Sequence, residues 1–126
     1  MRISLLAGSI VGAAALTACA DVPTVCSTYG QAGLSIEARD AATHQLVAAD
    51  IGGSARSGDY VETLVGNGPF LHGLHERPGR YMVAIEALGY APWDSTGVRV
   101  RVGNDCHVET TTITVLLAPT GPAAAT

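Results

Sequence analysis

The amino-acid sequence predicts an all-β domain, an antiparallel sandwich of two sheets and about seven strands. Three observations carry the prediction. Between Leu34 and Leu117 apolar and polar residues alternate in short runs, the period-2 pattern of strands with one buried face. Clusters of Gly, Pro, Asn and Asp separate these runs at hairpin spacing. No stretch repeats apolar residues at helical period for long enough to nucleate a helix.

Leu34, Ile36 and Ala38 point one way and Ser35, Glu37 and Arg39 the other, giving a first strand that ends at Asp40 and a turn from Asp40 to Gln45. A second strand runs from Leu46 to Arg56, where Gly52-Gly53 predicts a bulge or a break. Ser57-Gly58-Asp59 turns it into Tyr60 to Val65, forming a hairpin. Gly66-Asn67-Gly68-Pro69 opens a loop, Phe70 to Leu74 reads as a short strand, and Arg77-Pro78-Gly79-Arg80 carries Pro and Gly where a tight turn wants them.

The strongest strand follows, with Tyr81, Val83, Ile85 and Ala87 on the core face, and it stops at Gly89-Tyr90-Ala91-Pro92. Val98, Val100 and Val102 alternate with Arg99 and Arg101. After Gly103-Asn104 the phase changes: Cys106 and Val108 are even-numbered, whereas Ile113, Val115 and Leu117 are odd. One face cannot hold both sets without an extra residue, so a bulge is predicted within Thr110-Thr111-Thr112. Residues 119–126, with little to bury, read as a disordered tail.

At the N-terminus, Arg2 precedes an apolar, small-residue run from Ile3 to Leu16 that is too short for a permanent membrane span. It closes on Leu16-Thr17-Ala18-Cys19, which resembles a bacterial lipobox. The resemblance implies that residues 1–18 are a signal peptide, and that Cys19 takes acyl chains such as palmitate and becomes the first mature residue. Residues 19–30 then form a lipidated tether, and the protein resides in the bacterial cell envelope, held on a membrane and facing the periplasm or cell surface. An ordinary secretory signal cleaved near Ala18 or Ala20 is the alternative reading.

The rest of the composition fits that address. With Cys19 acylated, Cys26 and Cys106 are the two remaining thiols in a compartment that permits disulfides, and they are expected to pair. Without Arg2 the chain carries six Arg and no Lys against 11 Asp and Glu, an acidic balance with no basic run. That excludes the electrostatic footprint of a nucleic-acid binder.

Arg77-Pro78-Gly79-Arg80-Tyr81-Met82-Val83-Ala84-Ile85-Glu86-Ala87-Leu88-Gly89-Tyr90 resembles the P-G-x-Y-x-V-x-x-x-A-x-G-Y segment of carboxypeptidase regulatory-like domains. Ile36 to Thr43 is similar to that family's first strand and D-x-x-T-G turn, with His44 in place of Gly. Gly58-Asp59-Tyr60 sits where the family has D-G-x-Y, with Gly and Asp transposed. The resemblance spans residues 31–118 and implies a transthyretin-like or immunoglobulin-like sandwich, a mostly non-catalytic role and no transferable site residues.

Candidate chemistry is sparse. His72 and His75 at i and i+3, with His107 elsewhere, form a conceivable metal cluster, but Gly73 and Pro78 oppose the helix that would aim the pair together. No metal or cofactor is expected. Gly52-Gly53-Ser54 has half of a nucleophile elbow, with Arg56 where the second Gly belongs. Glu37, Glu86 and Glu109 occupy strand positions and read as solvated outer-face residues rather than an acid/base pair. Trp93 and Tyr90, placed in a loop, are the candidate ligand-binding residues, and a cap on the core is the competing role for Trp93. The sequence therefore predicts a non-catalytic, lipid-anchored envelope module that binds or spaces an envelope protein or polysaccharide. A small metal-dependent enzyme built on the three histidines is the runner-up.

Overall fold

The computed structural model describes residues 26–121, and nothing in it bears on Cys19 or the predicted signal, which lie outside that range. The strands are β1 (Leu34–Asp40), β2 (Ile51–Ser57), β3 (Tyr60–Thr63), β4 (Val65–Asn67), β5 (Phe70–Gly73), β6 (Gly79–Ala87), β7 (Trp93–Val102), β8 (Val108–Glu109) and β9 (Thr111–Leu117). They form a four-stranded sheet in the order β4-β5-β1-β9 and a five-stranded sheet in the order β3-β2-β6-β7-β8. Neighbours pair antiparallel except β1 and β9, which run parallel from Leu34 beside Thr111 to Asp40 beside Leu117. The fold is the expected all-β sandwich.

Its core is the sum of the alternations. Leu34, Ile36, Ala38, Leu71, Val115 and Leu117 face inward from one sheet. Ile51, Ala55, Tyr81, Val83, Ile85, Val98, Val100 and Val108 face them from the other. Each fully buried Leu, Ile or Val contributes on the order of 1.5–3 kcal/mol. Among the described residues no polar or charged residue is buried in the core. The Tyr81 ring is the exception in kind: its hydroxyl escapes by donating to the Arg77 carbonyl at 2.9 Å.

Two expected runs are each split because the chain changes sheets within them. After pairing with β2 the chain turns at the buried Leu64, and Val65–Asn67 joins β5 in the other sheet. Likewise β8 pairs with β7, whereas β9, one residue later, lies beside β1. The change of phase after Val108 is therefore real, but no bulge causes it. Val108 meets the core from one side and Val115 and Leu117 from the other, so the inward parity changes as the chain crosses.

The Gly52-Gly53 bulge is also absent: both glycines pair in unbroken register with Glu86 and Ile85 of β6. A Cβ on Gly53 would stand 2.5 Å from Ile85 Cδ1, 2.9 Å from the Ala84 carbonyl oxygen and 3.1 Å from Leu71 Cδ1. Glycine is there for space. The strand starts at Ile51 rather than Leu46, which makes an isolated bridge to Arg39. The bulge of this sheet lies in β7 instead, where register shifts between Tyr81 and Val83 and Gly97 adopts φ 73°.

The tight turn near Pro78 comes earlier than predicted. Arg77 N–H donates to the Leu74 carbonyl at 3.2 Å, and Leu74 and Glu76 take φ of 55° and 51°, while Gly79 already belongs to β6. The start of the predicted tail is bonded rather than loose. Ala91 N–H donates to the Ala118 carbonyl, Thr120 N–H donates to the Gly89 carbonyl, and Pro119 bridges to Tyr90.

Candidate functional site

The sandwich has two chemically different ends, and β7 runs from one to the other. At the Trp93 end, the outer face of the five-stranded sheet carries small residues side by side: Gly52 and Ser54 on β2 and Ala84 on β6. Taller neighbours flank them, leaving an open groove of about 410 Å³ walled by Trp93, Pro92, Thr63, Glu86 and Asp94. A second hollow of about 430 Å³ shares Gly52, Glu86 and Pro92 with it and extends to Asp50, Leu88 and Tyr90. The structure thus brings the two predicted ligand-binding residues to one continuous depression.

Their roles differ. Trp93 is not in a loop but opens β7 opposite Ile85, half-buried against the core while lining the groove. The Tyr90 hydroxyl is committed to Asp40 Oδ2 at 3.0 Å, which pushes the phenol pKa up, with burial adding to the effect. Tyr90 therefore packs against the end of the core and lines the second hollow. The polar lining consists of carboxylates and hydroxyls, with Asp50, Glu86, Asp94, Ser54 and Thr63 and no Arg or His. Such a lining accepts hydrogen bonds from sugar hydroxyls or ammonium groups and repels anions.

The opposite end holds the disulfide. Cys26 and Cys106 are bonded, with Cα atoms 5.3 Å apart, joining the segment before β1 to the β7–β8 loop. Beside it Glu76 receives Gln31 N–H at 2.5 Å, His107 Nδ1 at 2.7 Å and Val108 N–H at 3.3 Å. Burial works to raise the Glu76 pKa, but these donors outweigh it and hold the carboxyl below its ordinary value. Glu62 does the parallel job for the other side of the same turn. Leu74 N–H and the Tyr60 hydroxyl donate to its two oxygens at 2.6 and 2.5 Å. There too burial pushes up, and the donors with the charges of His75 and Arg77 prevail, so the Glu62 carboxyl sits low. The Arg77 guanidinium lies 3.4 Å from the Tyr60 ring centroid.

These two carboxylates brace the turn in which Leu74 and Glu76 are left-handed, and sequence reading missed both. Tyr60 and Glu62 at i and i+2 on one strand were the visible signal for the first. For Glu76 there was none, because its partners come from two distant segments, Gln31 and His107-Val108.

The predicted histidine cluster is divided. His72 and His75 meet edge to face with ring centroids 5.7 Å apart, whereas His107 is held by Glu76 and lies 3.2 Å from Ser27 Oγ through Nε2. Among the described residues no group of three or more His, Cys, Asp or Glu is arranged to hold a metal ion. Ser54 sits in mid-strand between Thr63 and Ala84, far from an elbow geometry. Glu37 pairs with Arg39 at 3.1 Å on the outer face of the other sheet, apart from Glu86. No family model matches the chain, and no curated protein matches it.

Proposed function

We propose that this protein is a non-catalytic, lipid-tethered module of the bacterial cell envelope, of the carboxypeptidase regulatory-like kind, that binds envelope polysaccharide or protein through the groove beside Trp93. The observation that carries the reading is the disposition of the groove relative to the disulfide. The Cys26–Cys106 bond fastens the domain seven residues after the candidate acylated Cys19, at one end, while the small-residue depression with its half-buried indole opens at the other. A ring at the margin of a shallow depression, with hydroxyls and carboxylates alongside, suits a sugar face with its rim of hydroxyls.

Two measurements test it. Cys19→Ala removes the acyl acceptor, so the protein is expected to leave the membrane fraction or accumulate as precursor. Continued incorporation of labelled palmitate by the variant refutes the anchor. Titrating the protein with soluble fragments of envelope glycan is expected to shift Trp93 emission, and Asp94→Asn with Glu86→Gln to weaken the binding. Chemical turnover of a fragment, or zinc retained through His72 and His75, refutes the non-catalytic module.

A further inference from the structure

Six arginines lie among the described residues, and two are engaged: Arg39 pairs with Glu37 and Arg77 stacks on Tyr60. The other four, Arg56, Arg80, Arg99 and Arg101, are exposed and make no ion pair among the described residues. All four share the outer face of the five-stranded sheet, because Ala55, Tyr81, Val98 and Val100, adjacent in sequence, point into the core. Arg80 and Arg99 stand directly opposite each other across β6 and β7, and Arg101 follows on the same face. Like charges at opposed positions of a ladder are destabilising. Glu109 stands across from Arg101 on β8. The three guanidiniums line an open groove of about 750 Å³ together with Val100 and Val102.

The position of this groove is as informative as its charge. Arg101 lies two residues before the β7–β8 loop that carries Cys106, so the basic cluster sits at the disulfide end. From Cys19 to Cys26 is seven residues, a reach of at most about 25 Å at ~3.5 Å per residue. Acylation of Cys19 therefore keeps this end within about one domain length of the bilayer. Asp50, Glu86 and Asp94 occupy the other end of the same face, roughly 20 Å from the arginines along the six steps of β6 between Arg80 and Glu86.

We propose that Arg80, Arg99 and Arg101 form a docking site for the phosphates of anionic lipid headgroups, laying the basic end of the sheet against the membrane and turning the acidic, Trp93-lined groove away from it. The proposal rests on the lipid-anchored reading above. A free three-arginine cluster on a chain with an acidic excess suits a phosphate surface, and the short tether makes that surface the nearest polyanion. Each basic residue at such a surface strengthens association about fivefold, so three together bias a tethered domain toward the docked orientation on the order of a hundredfold.

The full acylated protein, reconstituted in vesicles bearing a headgroup nitroxide quencher, tests this. Val102 lines the arginine groove and is 68% exposed, so Val102→Trp in a Trp93→Phe background reports docking, and the unmodified protein, with Trp93 nine residues away at the other end of β7, is the control. Quenching of the reporter is expected in phosphatidylcholine vesicles containing phosphatidylglycerol and not in phosphatidylcholine alone. It is expected to be lost at high salt and in the Arg80→Gln, Arg99→Gln, Arg101→Gln variant, with Trp93 unaffected throughout. The salt arm requires no arginine substitution and so does not depend on that variant folding. Protein retained on both vesicle types with equal quenching overturns the docking proposal alone. Protein recovered free of both vesicle types overturns the anchor and the docking with it.

Discussion

Replacing Gly53 by Ala separates two reasons for a glycine in a strand, freedom of backbone and lack of volume. Gly53 has no positive φ and sits in regular register between Ile85 and its own strand neighbours, so alanine fits the backbone. By itself this favours alanine by about 0.4–1 kcal/mol through the unfolded chain. The space does not fit: the added Cβ falls 2.5 Å from Ile85 Cδ1, 2.9 Å from the Ala84 oxygen and 3.1 Å from Leu71 Cδ1. Overpacking of that order costs about 1–3 kcal/mol, leaving a net destabilisation of up to about 2.5 kcal/mol. Ile85→Val deletes the offending Cδ1 and alone costs about 0.5–1.5 kcal/mol. The double variant is expected to be more stable than the sum of the singles by roughly 1 kcal/mol, with a residue of strain from the Ala84 oxygen. Urea titrations followed by circular dichroism measure this as a fall in midpoint at unchanged m. A stabilising Gly53→Ala, or strict additivity in the double variant, refutes the steric argument.

Two further predictions concern the disulfide end. Removing the Cys26–Cys106 bond, which spans 80 residues of sequence, is expected to lower stability by up to about 4.5 kcal/mol from loop-closure entropy, and a thiol assay on the folded, non-reduced domain is expected to find neither sulfur reactive. Asp40, Glu62 and Glu76 all have folded pKa values depressed below their ordinary range, so the unfolded chain takes up protons first as pH falls. Their contribution is fully present above the unfolded carboxylate pKa of about 4 and is lost as pH drops through the folded values. Denaturant midpoints are expected to be flat from neutrality to about pH 5 and to fall below it, with Glu62→Gln flattening the acid limb.

Where local pattern and tertiary packing act on the same residues, the fold was legible. The alternations in β1 and β6 name their buried residues correctly because each strand lies wholly within one sheet with one face to the core. The β2–β3 hairpin was legible because Gly58, at φ 57°, sits at the first central position of a two-residue turn. The crossings at Leu64 and Thr110 were not, since a change of sheet and a bulge leave the same trace, a shift of parity, and only the pairing partners tell them apart.

Glycine shows the same ambiguity in sharper form. At Gly53 and at Gly97 the sequence offers one signal, glycine interrupting a strand, yet the causes are opposite. A Cβ at Gly97 meets nothing within 4 Å, and its φ of 73° is what excludes other residues. At Gly53 the backbone is ordinary and the neighbours exclude them. Charge placement follows from the same topology. The alternation that buries Val98 and Val100 forces Arg99 and Arg101 outward, and the antiparallel register sets Arg80 beside them, while Glu86 and Asp94 fall at the far end of the same face. An acidic chain thereby acquires a basic end next to its disulfide, a segregation that net charge conceals and that strand register alone creates.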